Sequence, residues 1–212
     1  MIRAIIFDLE NTLVETDSDY RYHLVNRILN ALGVEAKTQS ETDRFWLDPY
    51  PEETLCSWQV SPYRFRAIFN SAPVIEERLD NVQLFDDTHI LRGLQSSGLK
   101  LAIVSNQDPY VNKRILDLIE SQSGVEFDSL VSAHYDHGIL PKPHAQGVEK
   151  SLADLRLNPE AATVVGDGIE DVLAAKAAGV LDVHLARSDN NLPINAQIKI
   201  GSLEALPSAI GY

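Results

Sequence analysis

Apolar residues along this chain fall into short runs, and several of the runs end abruptly in polar residues. Ala4 to Phe7 is uninterrupted and stops at Asp8; Glu10 follows, then Asn11 and Thr12, which favour a turn over a continued strand. Leu101-Ala102-Ile103-Val104 ends in Ser105-Asn106, and Thr163-Val164-Val165 ends in Gly166-Asp167-Gly168. Between such runs the period changes. Tyr20, Leu24, Ile28 and Leu32 recur at four-residue spacing with Val25 and Leu29 beside them, behind an N-cap at Asp17 or Ser18 and ahead of Gly33, and this predicts a helix.

The alternation becomes regular from Asp86. A helix is expected at 86–97, a strand at 100–104, a helix from Pro109 and a short strand at 128–132. There follow a helix at 144–155 that His144 begins, a strand at 162–166, an alanine-rich helix at 169–179, strands at 182–186 and 197–200, and a last short helix. Strands alternating with helices predict an α/β fold with a doubly wound parallel sheet. Ligands bind such sheets at the carboxyl ends of the strands, where Asp8, Ser105 and Asp167 fall. Residues 38–80 read differently, as short helices broken at Pro49, Pro51, Pro62 and Pro73. The expected organisation is a core of 1–14 and 81–212 with a helical insertion at 15–80.

The length of 212 residues accommodates a core plus a smaller domain. The formal net charge of −13 argues against a nucleic-acid surface, and an anionic substrate would need a local basic patch or a metal. No apolar run approaches the roughly 20 residues of a membrane helix. Met1-Ile2-Arg3 runs straight into the first strand, so no secretory signal is read and a cytoplasmic location is expected. The single Cys56 cannot form an internal disulfide and is read as a half-buried structural residue.

Taken together, Asp8-Leu9-Glu10-Asn11-Thr12, Ser105-Asn106, Lys142 between Pro141 and Pro143, and Gly166-Asp167-Gly168-Ile169-Glu170-Asp171 resemble the four signature motifs of the haloacid dehalogenase (HAD) superfamily, in order and at its usual spacing. The resemblance covers nearly the whole chain. It implies a Rossmann-like core, with the insertion as a C1-type helical cap that closes over the site, excludes water and selects the substrate. The chemistry is consistent with this. A strand-end carboxylate, here Asp8, can attack phosphorus and form an aspartyl-phosphate. Asp167 and Asp171, four apart at a helix start, can share a face near Asp8, and three carboxylates together call for a cation; hard oxygen donors favour Mg²⁺. Lys142 would add fixed positive charge, and Ser105, Asn106 and nearby N–H groups would hold the phosphoryl oxygens. In the family pattern the residue at Glu10 also lends its backbone carbonyl to the metal.

Glu10 is the departure: phosphatases of the family usually carry Asp there, as acid for the leaving group and then base for water. Glu keeps the acid but adds roughly 1.5 Å of reach, and a misplacement of ~1 Å can cost ~10²-fold. The expected activity is Mg²⁺-dependent hydrolysis of a small phosphorylated metabolite by a monomer or homodimer. The rivals are a phosphomutase, a binding or regulatory protein with decayed catalysis and, last, a dehalogenase. Among other features, His134 and His137 read as a solvated loop, since no Cys or third His stands at ligand spacing. Trp46 and Trp58 read as insertion core, and Arg64 and Arg66 as ion pairs or as an anion-binding pair.

Overall fold

The computed structural model describes residues 1–48, 51–187 and 194–212, so the breaker at Pro49 lies outside the described residues. Its first strand, β1 (Ala4–Phe7), is fully buried at all four residues. A strand apolar on both faces is the signature of a central parallel strand covered by helices on each side. It is followed by β2 (Val14–Thr16), α1 (Ser18–Ala31), α2 (Gln39–Trp46), α3 (Pro51–Ser57), α4 (Pro62–Phe69), α5 (Ala72–Leu79) and β3 (Val82–Leu84). The alternating part then runs α6 (Ile90–Ser96), β4 (Lys100–Ser105), α7 (Pro109–Ser123), β5 (Ser129–Ser132), α8 (Gln146–Leu155), β6 (Ala162–Gly166), α9 (Ile169–Ala177), β7 (Leu181–Leu185), β8 (Ile198–Ile200) and α10 (Leu206–Ala209).

Six strands form one sheet in the order β5-β4-β1-β6-β7-β8, and every neighbouring pair is parallel. The chain builds outward from β1 through β4 to β5, then returns to β1's other side for β6. The switch point of the sheet therefore lies between β1 and β6, the place where a doubly wound sheet opens a crevice at its carboxyl edge. Phe7 is in register with Ile103 on one side and Val165 on the other. That register brings the residues just beyond each strand to one edge. Ile6, Ala102, Val104 and Val164 pack with Val148 and Leu152 of α8 and with Ala174 and Ala175 of α9 in a continuous buried cluster. The small alanines let α9 approach the sheet closely.

The chain divides into two compact units, Met1–Glu15 with Leu84–Tyr212, and Thr16–Gln83. The second has its own core of Leu24, Val25, Ile28 and Leu29 from α1 against Phe45, Leu55, Val60 and Phe65. Phe45 meets Trp58 and Phe65, each with ring centroids 5.3 Å apart, and Trp46 packs on Phe69. Both tryptophans thus join the core of this unit. Asp17 caps α1, accepting from Tyr20 N–H, and Arg66 is paired with Glu52.

Some elements differ from the sequence reading. β2 and β3 pair in a separate two-stranded sheet that the sequence did not announce, because three residues are too few to display a period. Residues 86–89 wind as a 3₁₀ turn before α6 rather than as its first turn. His144 lies before α8, which starts at Gln146, and Cys56 is exposed rather than half-buried.

One ion pair ties distant segments of the core unit together. The Arg187 guanidinium, beyond β7, donates to both carboxylate oxygens of Asp87 at 2.7 and 3.0 Å and to the carbonyl of Thr12, and it lies 3.7 Å over the Phe85 ring. Asp87 also accepts from Leu203 N–H and the Ser202 hydroxyl. Burial pushes the Asp87 carboxyl up, but these donors and the Arg187 charge outweigh it and hold it below the usual carboxylate range. A depressed carboxylate contributes stability above its unfolded pKa and loses it as pH falls through the folded one. Asp87→Asn should therefore lower stability by about 1.5–3 kcal/mol near pH 7. Urea denaturation should show the gap to wild type narrowing below about pH 4, where the unfolded carboxylate protonates.

Candidate functional site

The carboxylates of the switch point are set by backbone hydrogen bonds just past the strand ends. Asp8 N–H donates to the Val165 carbonyl at 2.9 Å, which extends the β1–β6 ladder one residue beyond β1. The chain then turns back: Asn11 takes a left-handed conformation at φ 55°, which asparagine tolerates, and its N–H donates to the Val14 carbonyl. On the neighbouring strand, Asp167 follows β6, and Asp171 sits in the first turn of α9, where its carboxylate accepts from Gly168 N–H at 3.0 Å. One oxygen from each of Asp8, Asp167 and Asp171 lies within 4.8 Å of the others. Gly166 is required for this approach, since a Cβ there would stand 2.2 Å from the Asp171 carboxyl carbon.

The positive charge comes from the loop between β5 and α8. Lys142 is 6% exposed, and its Nζ donates to Asp8 Oδ1 at 2.5 Å and to Asp171 Oδ1 at 2.6 Å. Asn106, at the end of β4, brackets the lysine's backbone. Its Oδ1 accepts from Lys142 N–H at 2.8 Å and its Nδ2 donates to the Lys142 carbonyl at 3.1 Å. The asparagine read as a substrate contact is thus engaged with the lysine. Burial alone would lower the ammonium's pKa; Asp171 and Asp8 outweigh it and raise it.

One buried lysine does not balance this cluster. Burial, opposed by Lys142 and reinforced by Asp171 and Glu170, pushes the Asp8 carboxyl up to about 7. Asp167 is raised well above the ordinary carboxylate range, by burial first and then by its acidic neighbours, and Glu170 is raised by burial and Asp171. A site that destabilises its own carboxylates, with all donors hard oxygens, fits a divalent cation, and the three aspartates are the residues that would hold it.

The remaining sequence candidates stand at the end of β4 and in the turn after β1. Ser105 is 2% exposed, and its hydroxyl accepts from Gln107 N–H at 3.2 Å. The Glu10 carboxylate accepts from Gln107 Nε2 at 2.9 Å. Gln107 was not foreseen, because no motif marks it; only adjacence to Ser105-Asn106 could have drawn notice. Two others were also missed. Glu170 lies within the fourth motif, and His184 of β7 places Nε2 3.2 Å from the Asp167 carbonyl.

A family model described as haloacid dehalogenase-like hydrolase matches residues 2–179. The chain belongs to this family. Phosphoglycolate phosphatase of Aquifex aeolicus (strain VF5) is 30% identical over 185 residues, 84% of this chain and 82% of that protein. Pyrophosphatase PpaX of Anoxybacillus flavithermus is 26% identical over 193 residues, 84% of this chain and 80% of that one. Among solved structures, a predicted phosphoglycolate phosphatase from Haemophilus somnus 129PT superposes with a TM-score of 0.79 at 20% identity, covering 100% of this chain and 98% of its own. That likeness confirms the HAD fold. No helix among the described residues is long and apolar enough to cross a membrane.

The electrostatics predict a measurable response. A divalent cation added to the metal-free protein should raise the melting temperature, and Asp167→Asn should abolish the rise. Since the Asp8 and Asp167 carboxyls are raised, protons compete with the cation below about pH 7, so thermal-shift assays should find a larger rise at pH 8 than at pH 5.5.

Proposed function

We propose that this HAD hydrolase is a Mg²⁺-dependent phosphatase that cleaves a small phosphomonoester through an aspartyl-phosphate on Asp8. The observation that carries the reading is the placement of Asp8 at the switch point, paired with Lys142 and within cation-sharing distance of Asp167 and Asp171. The names of the relatives support it: a phosphoglycolate phosphatase and a pyrophosphatase both act on small, highly anionic phosphoryl compounds. In a chain with a net charge of −13, such a substrate needs local positive charge.

In this reading Asp8 attacks phosphorus while the bond to the leaving oxygen breaks, and Glu10, protonated, gives that oxygen its proton. The Glu10 carboxylate then takes a proton from water, the water oxygen bonds to phosphorus, and the Asp8–phosphorus bond breaks to release phosphate. Lys142 keeps the negative charge on the transferring oxygens tolerable beside Asp8, and Asn106 fixes where that charge sits. In the same reading the Ser105 hydroxyl holds a phosphoryl oxygen. Mg²⁺, when bound by Asp8, Asp167, Asp171 and the Glu10 carbonyl, would supply the electrophilic charge that lets a carboxylate approach a phosphate dianion. The unit Thr16–Gln83 takes the part of the substrate-selecting cap.

Phosphate release should be assayed across a panel of phosphorylated metabolites with Mg²⁺ and with chelator. Wild type should turn over only with metal, and Asp8→Asn should lose activity beyond detection. Glu10→Asp should retain activity and change kcat by no more than about 10²-fold in either direction. Full activity in Asp8→Asn would contradict the proposal.

A further inference from the structure

The longer acid at Glu10 has a partner. Gln107 Nε2 donates to Glu10 Oε2 at 2.9 Å, across 97 residues of sequence. The glutamine's backbone is itself held at two points, and the second of them is anchored further. Its N–H donates to the Ser105 hydroxyl, its carbonyl accepts from Asn112 Nδ2 at 3.0 Å, and that same Nδ2 reaches the Ser132 hydroxyl at 2.7 Å. Asn112 is 0% exposed, near the start of α7. The fixed frame of β4, β5 and α7 thus ends in one amide pointing at one carboxylate oxygen of Glu10.

We infer that Gln107 is a positioning residue for the acid–base step: its amide, bonded to Glu10 Oε2, restrains the extended Glu10 side chain for proton transfer to the leaving group. The inference rests on the phosphatase reading above. The physical argument is one of freedom and reach. Glutamate has one more rotatable bond than aspartate, and unrestrained it would sample positions far from the reacting oxygen. An anchored amide removes that freedom before substrate arrives, at a site where ~1 Å decides ~10² in rate. Aspartate at this position would fall roughly 1.5 Å short of the amide, a C–C bond length, so Gln107 serves glutamate specifically.

The test uses kcat/KM, which reports the steps through phosphoryl transfer to Asp8, on esters with good and poor leaving groups. Gln107→Leu should reduce kcat/KM by about 10- to 10²-fold for an alkyl phosphate, whose leaving oxygen needs a proton. It should reduce it by less than about threefold for 2,4-dinitrophenyl phosphate, which leaves without one. Gln107→Asn, too short to reach Glu10, should behave alike, and melting temperatures would confirm that both variants fold. In a Glu10→Asp background, Gln107→Leu should have almost no further effect. Equal losses for both leaving groups, or the same loss in both backgrounds, would overturn the inference while leaving the phosphatase standing. Absence of metal-dependent turnover in wild type would overturn both.

Discussion

The site depends on a shortage of positive charge. The register of β1 and β6 brings Asp8 and Asp167 to one edge, α9 adds Asp171, and Glu170 stands close enough to raise its neighbours further. A single ammonium, Lys142, is bonded to two of these groups. The fold stabilises this crowding rather than relieving it: Gly166 lets the Asp171 carboxyl approach, Gly168 N–H holds it, and Asn106 fixes the lysine. The result is a preorganised deficit of positive charge that a cation can satisfy. Burial first, and then the acidic neighbours, raise the Asp8 and Asp167 carboxyls accordingly.

Much of this was readable from the chain. The buried strands announced themselves as apolar runs, and their polar ends marked the functional edge, because a parallel sheet aligns its strand termini. Asp8, Asp167 and Asp171 could be placed together from strand ends and helix spacing alone. Lys142 could be placed only through family resemblance, since nothing local shows where a loop lysine points. The sequence was silent where contacts are set by tertiary folding: β2 and β3 are too short for a period, and Gln107 carries no pattern. Asn106 shows the limit from the other side. Its motif position marked it as a site residue, but nothing local showed that both ends of its amide hold Lys142.

Membership of the HAD-like hydrolases fixes the chemistry more firmly than the substrate. The relatives bear two different phosphatase names at similar identity, so the shared fold by itself does not name a substrate. The departure from the family pattern read in the sequence is Glu10. Its carboxylate is held by Gln107, from a frame that runs back to the buried Asn112.

The central claim is that Asp8 carries the phosphoryl group. Acid-quenched enzyme, mixed with substrate and Mg²⁺ in a Glu10→Gln background to slow hydrolysis of the intermediate, can be digested and mapped by mass spectrometry. The account predicts a phosphoryl group on the peptide containing Asp8 and on no other. Phosphate release without any label on Asp8, or label on a different residue, would contradict it.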